Sequence, residues 1–214
     1  MAKIFITGGI SSGKSQFAEN TALALYKSNM NADAGMSDGI LTVMRGGAET
    51  DAGNFPLLHF IATANTKIKI NAKDDEMLLK IKKHKEKRNK TFIVHENFDD
   101  LTAEIDAVRN SFPDERIAER CVILIDSMTL WLSSFFTDIK YFDFAAETVL
   151  KFSEYLSAVR CSVITVSDSL GFNLVSVDAY VRKFVELNGL MEQKLSAVSD
   201  KAYCVIAGNP LALK

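Results

Sequence analysis

Apolar residues fall in short runs, separated by longer segments in which they recur every three or four positions. The short runs lie at 3–7, 57–63, 91–95, 121–126, 162–167 and 202–207. Each is rich in β-branched or aromatic residues and too brief for a buried helix, so each predicts a strand. The periodic segments at 15–27, 74–87, 98–111, 127–136, 142–158 and 177–198 predict helices. Asp74, Asp75 and Glu76 sit in the first turn of the second helix, where they suit its dipole, and Pro113 follows the third. Strands alternate with helices along the whole chain. That order predicts an α/β fold, a mostly parallel sheet with helices on both faces.

Two stretches break the pattern. Between 28 and 56 the periodicity dissolves, and this stretch carries five of the eleven glycines. It reads as a flexible surface insertion, either a lid over a ligand or a solvated loop. Between 67 and 90 there are ten Lys or Arg against four acids, a local charge near +6 in a chain of net −2. Such a run is either a solvated helix face or a phosphate-facing one.

Composition narrows the class. With 214 residues, 48% of them hydrophobic, the chain can bury one sizeable core. The net charge of −2 argues against a nucleic-acid partner. No apolar run approaches the roughly 20 residues that span a bilayer, and no N-terminal signal pattern precedes the first strand. Cys121, Cys161 and Cys204 lie at or near predicted strands without C-x-x-C spacing. They read as buried reduced thiols in a cytoplasmic protein.

The candidate chemistry begins right after the first strand. Gly8, Gly9, Ile10, Ser11, Ser12, Gly13, Lys14 and Ser15 match G-x-x-x-x-G-K-[ST], with a strand before and a helix after. Glycines let such a loop wrap around phosphate with its N–H groups inward, and the helix start adds free donors. Lys14 is placed to reach the β- and γ-phosphates of ATP or GTP, and Ser15 to hold Mg²⁺. The fold class therefore sharpens to P-loop NTPase-like, with residues 1–214 expected to form a single nucleotide-binding domain. Asp126 ends an apolar strand, either as a second Mg²⁺ ligand or as the cap of the following helix. His84 shares a helix face with Met77, Ile81 and Arg88 and has Lys80 and Lys85 nearby. Neighbouring cations keep an imidazole neutral and hence nucleophilic; the alternative is a half-buried surface histidine. His59 and His95 lie within predicted strands and read as structural.

Several segments together resemble a known family, the bifunctional adenosylcobinamide kinase / adenosylcobinamide-phosphate guanylyltransferases of cobalamin assembly. They are Ile6-Thr7-Gly8-Gly9 through Ser15, Ile61-Ala62-Thr63-Ala64, Asp75-Glu76-Met77, Ile81-x-x-His84-Lys85-x-x-Arg88, and Glu96. Asp126-Ser127-Met128-Thr129-Leu130-Trp131-Leu132-Ser133 is similar to the family's D-C-L-T-L-W-L-S, and Val205 to Leu211 to its V-V-A-G-x-P-L. The resemblance implies that His84 is guanylylated by GTP and passes GMP to the phosphate of a cobinamide acceptor. It implies that Ala62, Thr63, Ala64, Lys85, Glu86, Lys87, Arg88 and Glu96 surround the guanine nucleotide. It further implies a kinase step on the cobinamide hydroxyl and a homotrimer. The chain departs from the pattern late. Asp168-Ser169-Leu170-Gly171 stands for N-E-V-G, Asn173 to Ser176 for G-I-V-P, Glu192-Gln193 for N-Q, and Ser133-Ser134 for S-N. The missing glutamate at 169 predicts weak kinase turnover beside intact self-guanylylation. Two other readings are a P-loop kinase for a different small molecule and a nucleotide-binding regulator without turnover.

Overall fold

In a computed structural model of the protein, the residues described are 1–31, 57–64, 90–171 and 175–214. The predicted helix at 74–87, the basic window up to residue 89, and most of the predicted insertion at 28–56 lie outside them. The insertion's start is corrected. Residues 28–31 continue the first helix, because nothing in Ser28-Asn29-Met30-Asn31 breaks a helix.

The elements are β1 (Lys3–Gly8), α1 (Lys14–Asn31), β2 (Leu58–Ala62), β3 (Ile93–His95), α2 (Leu101–Asn110), α3 (Glu115–Ala118) and β4 (Val122–Asp126). Then come α4 (Met128–Phe135), a 3₁₀ turn (Ile139–Tyr141), α5 (Phe142–Ala158), β5 (Ser162–Asp168), α6 (Ala179–Val198), β6 (Lys201–Ile206) and β7 (Asn209–Ala212). Among the described residues, seven strands join one sheet in the order β3-β2-β4-β5-β1-β6-β7. Every pairing is parallel except β6 with β7.

The near-continuous apolar runs have a simple cause: the central strands are buried on both faces, as parallel strands covered by helices must be. Ile4, Ile6, Leu58, Phe60, Val122, Leu124, Ile164 and Val166 pack on the α1 side with Ala18 and Ala22. Their neighbours in sequence, Phe5, Ile61, Ile123, Ile125 and Val163, face the other way, against α2, α4, α5 and α6. The one cation in β1 is accommodated rather than exposed. Lys3 Nζ donates to the carbonyls of Val159 and Cys161 at 2.7 and 2.6 Å, so the buried ammonium has partners. All three cysteines are free and buried, as the spacing predicted.

β7 was not predicted. Its Pro210 argues against a strand, yet β7 is an edge, where a missing N–H costs no ladder bond. Ala207 and Gly208 turn the chain into it with φ of 49° and 82°, the left-handed pair of a tight hairpin.

Candidate active site

In a parallel sheet all strands end on the same edge, and that edge is where such folds bind ligands. Here it gathers Gly8 at the end of β1, Ala62 at the end of β2, Asp126 at the end of β4 and Asp168 at the end of β5. Glu96 follows β3 on the same edge. The register sets Asp168 beside Gly8 and Ala62 beside Asp126. Strand alternation puts Asp126 and Asp168 on the α1 side of the sheet, the side of the glycine loop.

The loop is built by close backbone approach. Ser12 N–H donates to the Gly9 carbonyl at 3.2 Å, and Phe17 N–H opens α1 by donating to the Gly13 carbonyl at 3.0 Å. Gly13 has φ +93°, and a Cβ there would meet Gly208 Cα at 3.3 Å. A Cβ at Gly8 would stand 2.6 Å from both the Val205 carbonyl oxygen and Ser12 Oγ. Gly208 N–H donates to the Ser12 carbonyl at 2.8 Å, so the β6–β7 hairpin braces the loop from outside. Ser12 Oγ is buried without a hydrogen-bond partner among the described residues. A buried hydroxyl with that vacancy fits a loop that receives a ligand's oxygen.

Lys14, the first residue of α1, is buried. Its Nζ donates to the Gly9 carbonyl at 3.1 Å and pairs with Asp168 Oδ1 at 2.6 Å. An ammonium held over the loop by one carbonyl and one carboxylate sits where polyphosphate oxygens would replace or join those contacts. Ser15 is half-buried one residue on.

Asp126 and the 62–64 segment meet at the next crevice. Thr63 Oγ1 donates to the Ser127 carbonyl at 2.5 Å, and Thr63 N–H to the Asp126 carbonyl at 3.4 Å. The cap of α4 is Ser127, whose Oγ accepts from Leu130 N–H, so capping does not account for Asp126. Beside Thr63 opens a cavity of about 510 Å³, lined by Asn97, Phe98, Trp131, Phe135 and Phe152 among others.

The structure brings the glycine loop, Asp126, Ala62 to Ala64 and Glu96 to one edge. His84, Lys85, Glu86, Lys87 and Arg88 lie outside the described residues. His59 and His95 are strand residues engaged with one another, His59 Nδ1 to His95 Nε2 at 3.0 Å, and His95 Nδ1 meets Glu104 Oε1 at 2.6 Å. Among the described residues no three His, Cys, Asp or Glu side chains gather as a metal site. The oxygen donors Ser15 and Asp126 suit Mg²⁺, which takes one or two protein oxygens and completes its shell with phosphates and water.

Five residues with contacts here, Asp168, Thr129, Asn188, Thr7 and Glu192, were not singled out as site residues in the sequence. Asp168 carries the same signal as Asp126, a carboxylate ending an apolar strand. Behind it, Thr129 Oγ1 accepts from Asp168 N–H at 2.8 Å, and Asn188 Nδ2 donates to the Asp168 carbonyl at 3.0 Å. On the far side of β1, Thr7 Oγ1 donates to Glu192 Oε1 at 2.5 Å. Burial raises the Glu192 carboxyl above the ordinary range; Asp168 adds to this, and hydrogen bonds from Thr7 and Ser167 oppose it.

A model of the cobinamide kinase / cobinamide phosphate guanyltransferase family matches residues 48–213. The chain belongs to that family. It is an enzyme of the cobalamin pathway that uses nucleotides in kinase and guanylyltransferase chemistry, on a P-loop-like α/β fold. One similar protein is the bifunctional adenosylcobalamin biosynthesis protein CobU of Salmonella typhimurium (strain LT2). It is 25% identical over 173 residues, covering 78% of this chain and 91% of that protein. Another is the bifunctional adenosylcobalamin biosynthesis protein CobP of Pseudomonas aeruginosa, 26% identical over 211 residues, 98% of this chain and 95% of that protein. The second match takes in the glycine loop, which precedes the family match. No helix among the described residues is long and apolar enough to cross a membrane.

Proposed function

We propose that residues 1–214 form one nucleotide-binding domain that carries both activities. It phosphorylates the hydroxyl of adenosylcobinamide, then transfers GMP from GTP to the resulting phosphate through a guanylylated His84. The observation that supports it most is the buried Lys14, aimed across the glycine loop at the edge where β1, β4 and β5 end. Gly8 to Ser15 would cradle the triphosphate of ATP or GTP. Ser15 and Asp126 would hold Mg²⁺, which neutralises charge on the phosphate oxygens. In the guanylyl half, a His84 ring nitrogen attacks the α-phosphorus as the bond to pyrophosphate breaks, leaving GMP as a phosphoramidate. The acceptor's phosphate oxygen then displaces the imidazole. Ala62, Thr63, Ala64, Lys85, Glu86, Lys87, Arg88 and Glu96 would surround the guanine nucleotide. This assignment rests on the family resemblance of those segments. So does the trimeric assembly, while the cytoplasmic location rests on the buried reduced cysteines.

The test is incubation with α-labelled GTP. Label should attach to the polypeptide through an acid-labile, base-stable bond and be lost in His84→Ala. His59→Ala and His95→Ala should keep it. Label that persists in His84→Ala removes the assignment.

A further inference from the structure

Asp168 occupies a position that the family pattern fills with an amide, while the family's glutamate one residue later is Ser169 here. The structure shows where this acid goes. It ends β5, next to Gly8 in register, with Oδ1 2.6 Å from Lys14 Nζ. Its backbone is held on both sides, by Thr129 Oγ1 on the N–H and by Asn188 Nδ2 on the carbonyl. Thr129 Oγ1 also donates to Asn188 Oδ1 at 3.2 Å and lies 3.1 Å from Ser167 Oγ. Thr129, Ser167 and Asn188 are all buried. Ser169 N–H donates to the Gly8 carbonyl at 3.0 Å, tying the segment after Asp168 to the loop. Two buried side chains, Thr129 and Asn188, fix the backbone of this strand end, and Lys14 holds the carboxylate that it presents.

We infer that Asp168 is the carboxylate that takes the proton from the acceptor hydroxyl in the phosphoryl-transfer half of the reaction. The P-loop lysine serves the β- and γ-phosphates, so a carboxylate in contact with Lys14 stands beside the γ-phosphate. It repels phosphate and attracts a group that offers a proton, and the acceptor alcohol is that group. The step balances within the site. The acceptor oxygen forms its bond to the γ-phosphorus, and its proton passes to an Asp168 oxygen. The bond from the γ-phosphorus to the β-phosphate oxygen breaks, and the nucleoside diphosphate leaves with the electron pair, its charge met by Lys14. Asp168 then returns the proton to water. In the guanylyl half the nucleophiles are an imidazole nitrogen and a phosphate oxygen, and neither brings a hydroxyl proton to remove. Asp168 therefore serves one half-reaction only. It also supplies the carboxylate whose loss at 169 predicted a weak kinase.

This role rests on the function proposed above, and the experiment separates the two. Asp168→Asn, Asp168→Glu, Asp168→Ala and the unmodified full chain are compared in three assays. These are phosphate transfer from γ-labelled nucleotide to adenosylcobinamide, label retained from α-labelled GTP, and GTP affinity by calorimetry. Asp168→Asn should lower kcat for phosphoryl transfer at least about a hundredfold, with adduct yield unchanged and GTP affinity within a few-fold. Asp168→Glu should keep part of the rate, and added formate should restore part of it to Asp168→Ala, which a merely structural group would not allow. The role is overturned if Asp168→Asn keeps kcat within threefold, since the acid then does no more than pair with Lys14. Equal loss of both half-reactions also overturns it and points to nucleotide or metal binding. An unmodified chain that turns over no cobinamide overturns the functional reading and this role together.

Discussion

Lys14 has two contacts at the loop through its Nζ, the Gly9 carbonyl and the Asp168 carboxylate. Replacing it with Ala removes the cation aimed at the phosphates and leaves the Asp168 carboxylate to repel them. GTP affinity in Lys14→Ala should fall at least about tenfold, roughly 1.4 kcal/mol, and calorimetry on the folded variant reads it directly. Glu192 has the opposite character, a carboxyl whose charged form is disfavoured by burial. A carboxyl raised in the folded state contributes stability below its unfolded pKa, about 4.3. That contribution is lost as pH rises through the raised value. Glu192→Gln, which keeps an acceptor for Thr7, should therefore match or exceed the unmodified protein in Tm at pH 7. The gap should close or reverse near pH 4, and thermal denaturation at the two pH values checks the sign.

At the scale of elements, the glycine loop is one half of a pair, the other half being the β6–β7 hairpin. The resemblance at Val205 to Leu211 acquires a physical cause here. Val205 presents its carbonyl to Gly8, and Gly208 hydrogen-bonds the Ser12 carbonyl while crowding Gly13. Gly8→Ala must push either the Val205 carbonyl or the Ser12 side chain aside. It should destabilise by about 1–3 kcal/mol and weaken nucleotide binding. Gly9 has nothing within 4 Å of an added Cβ, so Gly9→Ala should be tolerated in stability. Denaturant unfolding of the two variants side by side provides the contrast. Equal effects would mean that the crowding at Gly8 relaxes freely.

At the scale of the whole molecule, the ligand edge is a seam between separate stretches of chain. Residues 8, 62, 126 and 168 come to it from four different strands. A nucleotide that bridges several strand ends should stabilise the whole sheet. A ligand at 100 times its Kd adds about 2.7 kcal/mol. Saturating GTP with Mg²⁺ should accordingly raise Tm by several degrees, and the rise should shrink strongly in Lys14→Ala. An unchanged Tm in the unmodified protein would contradict a nucleotide site on this edge.

Much of this was legible in the sequence because it depends on local order. Two-sided burial of the strands produces apolar runs, and a phosphate-binding loop needs its residues consecutive in the chain. Runs at 3–7 and 121–126 therefore became β1 and β4 within a residue or two, and Gly8 to Ser15 forms the turn from β1 into α1 that the motif's spacing expects. Family membership was legible for the same reason, since its motifs are short and ordered. Other features depend on what lies across the sheet, and only the tertiary structure decided them. β7 carries a proline that sequence rules exclude, and its edge position removes the objection. Whether Asp126 caps the following helix was open until Ser127 proved to be the cap. Asp168 read only as a departure from the family's amide until β5 settled beside β1 and brought its carboxylate to Lys14, 154 positions away in the sequence. A strand's partner is chosen by the packing of both faces of the sheet, and no local pattern in the chain records that choice.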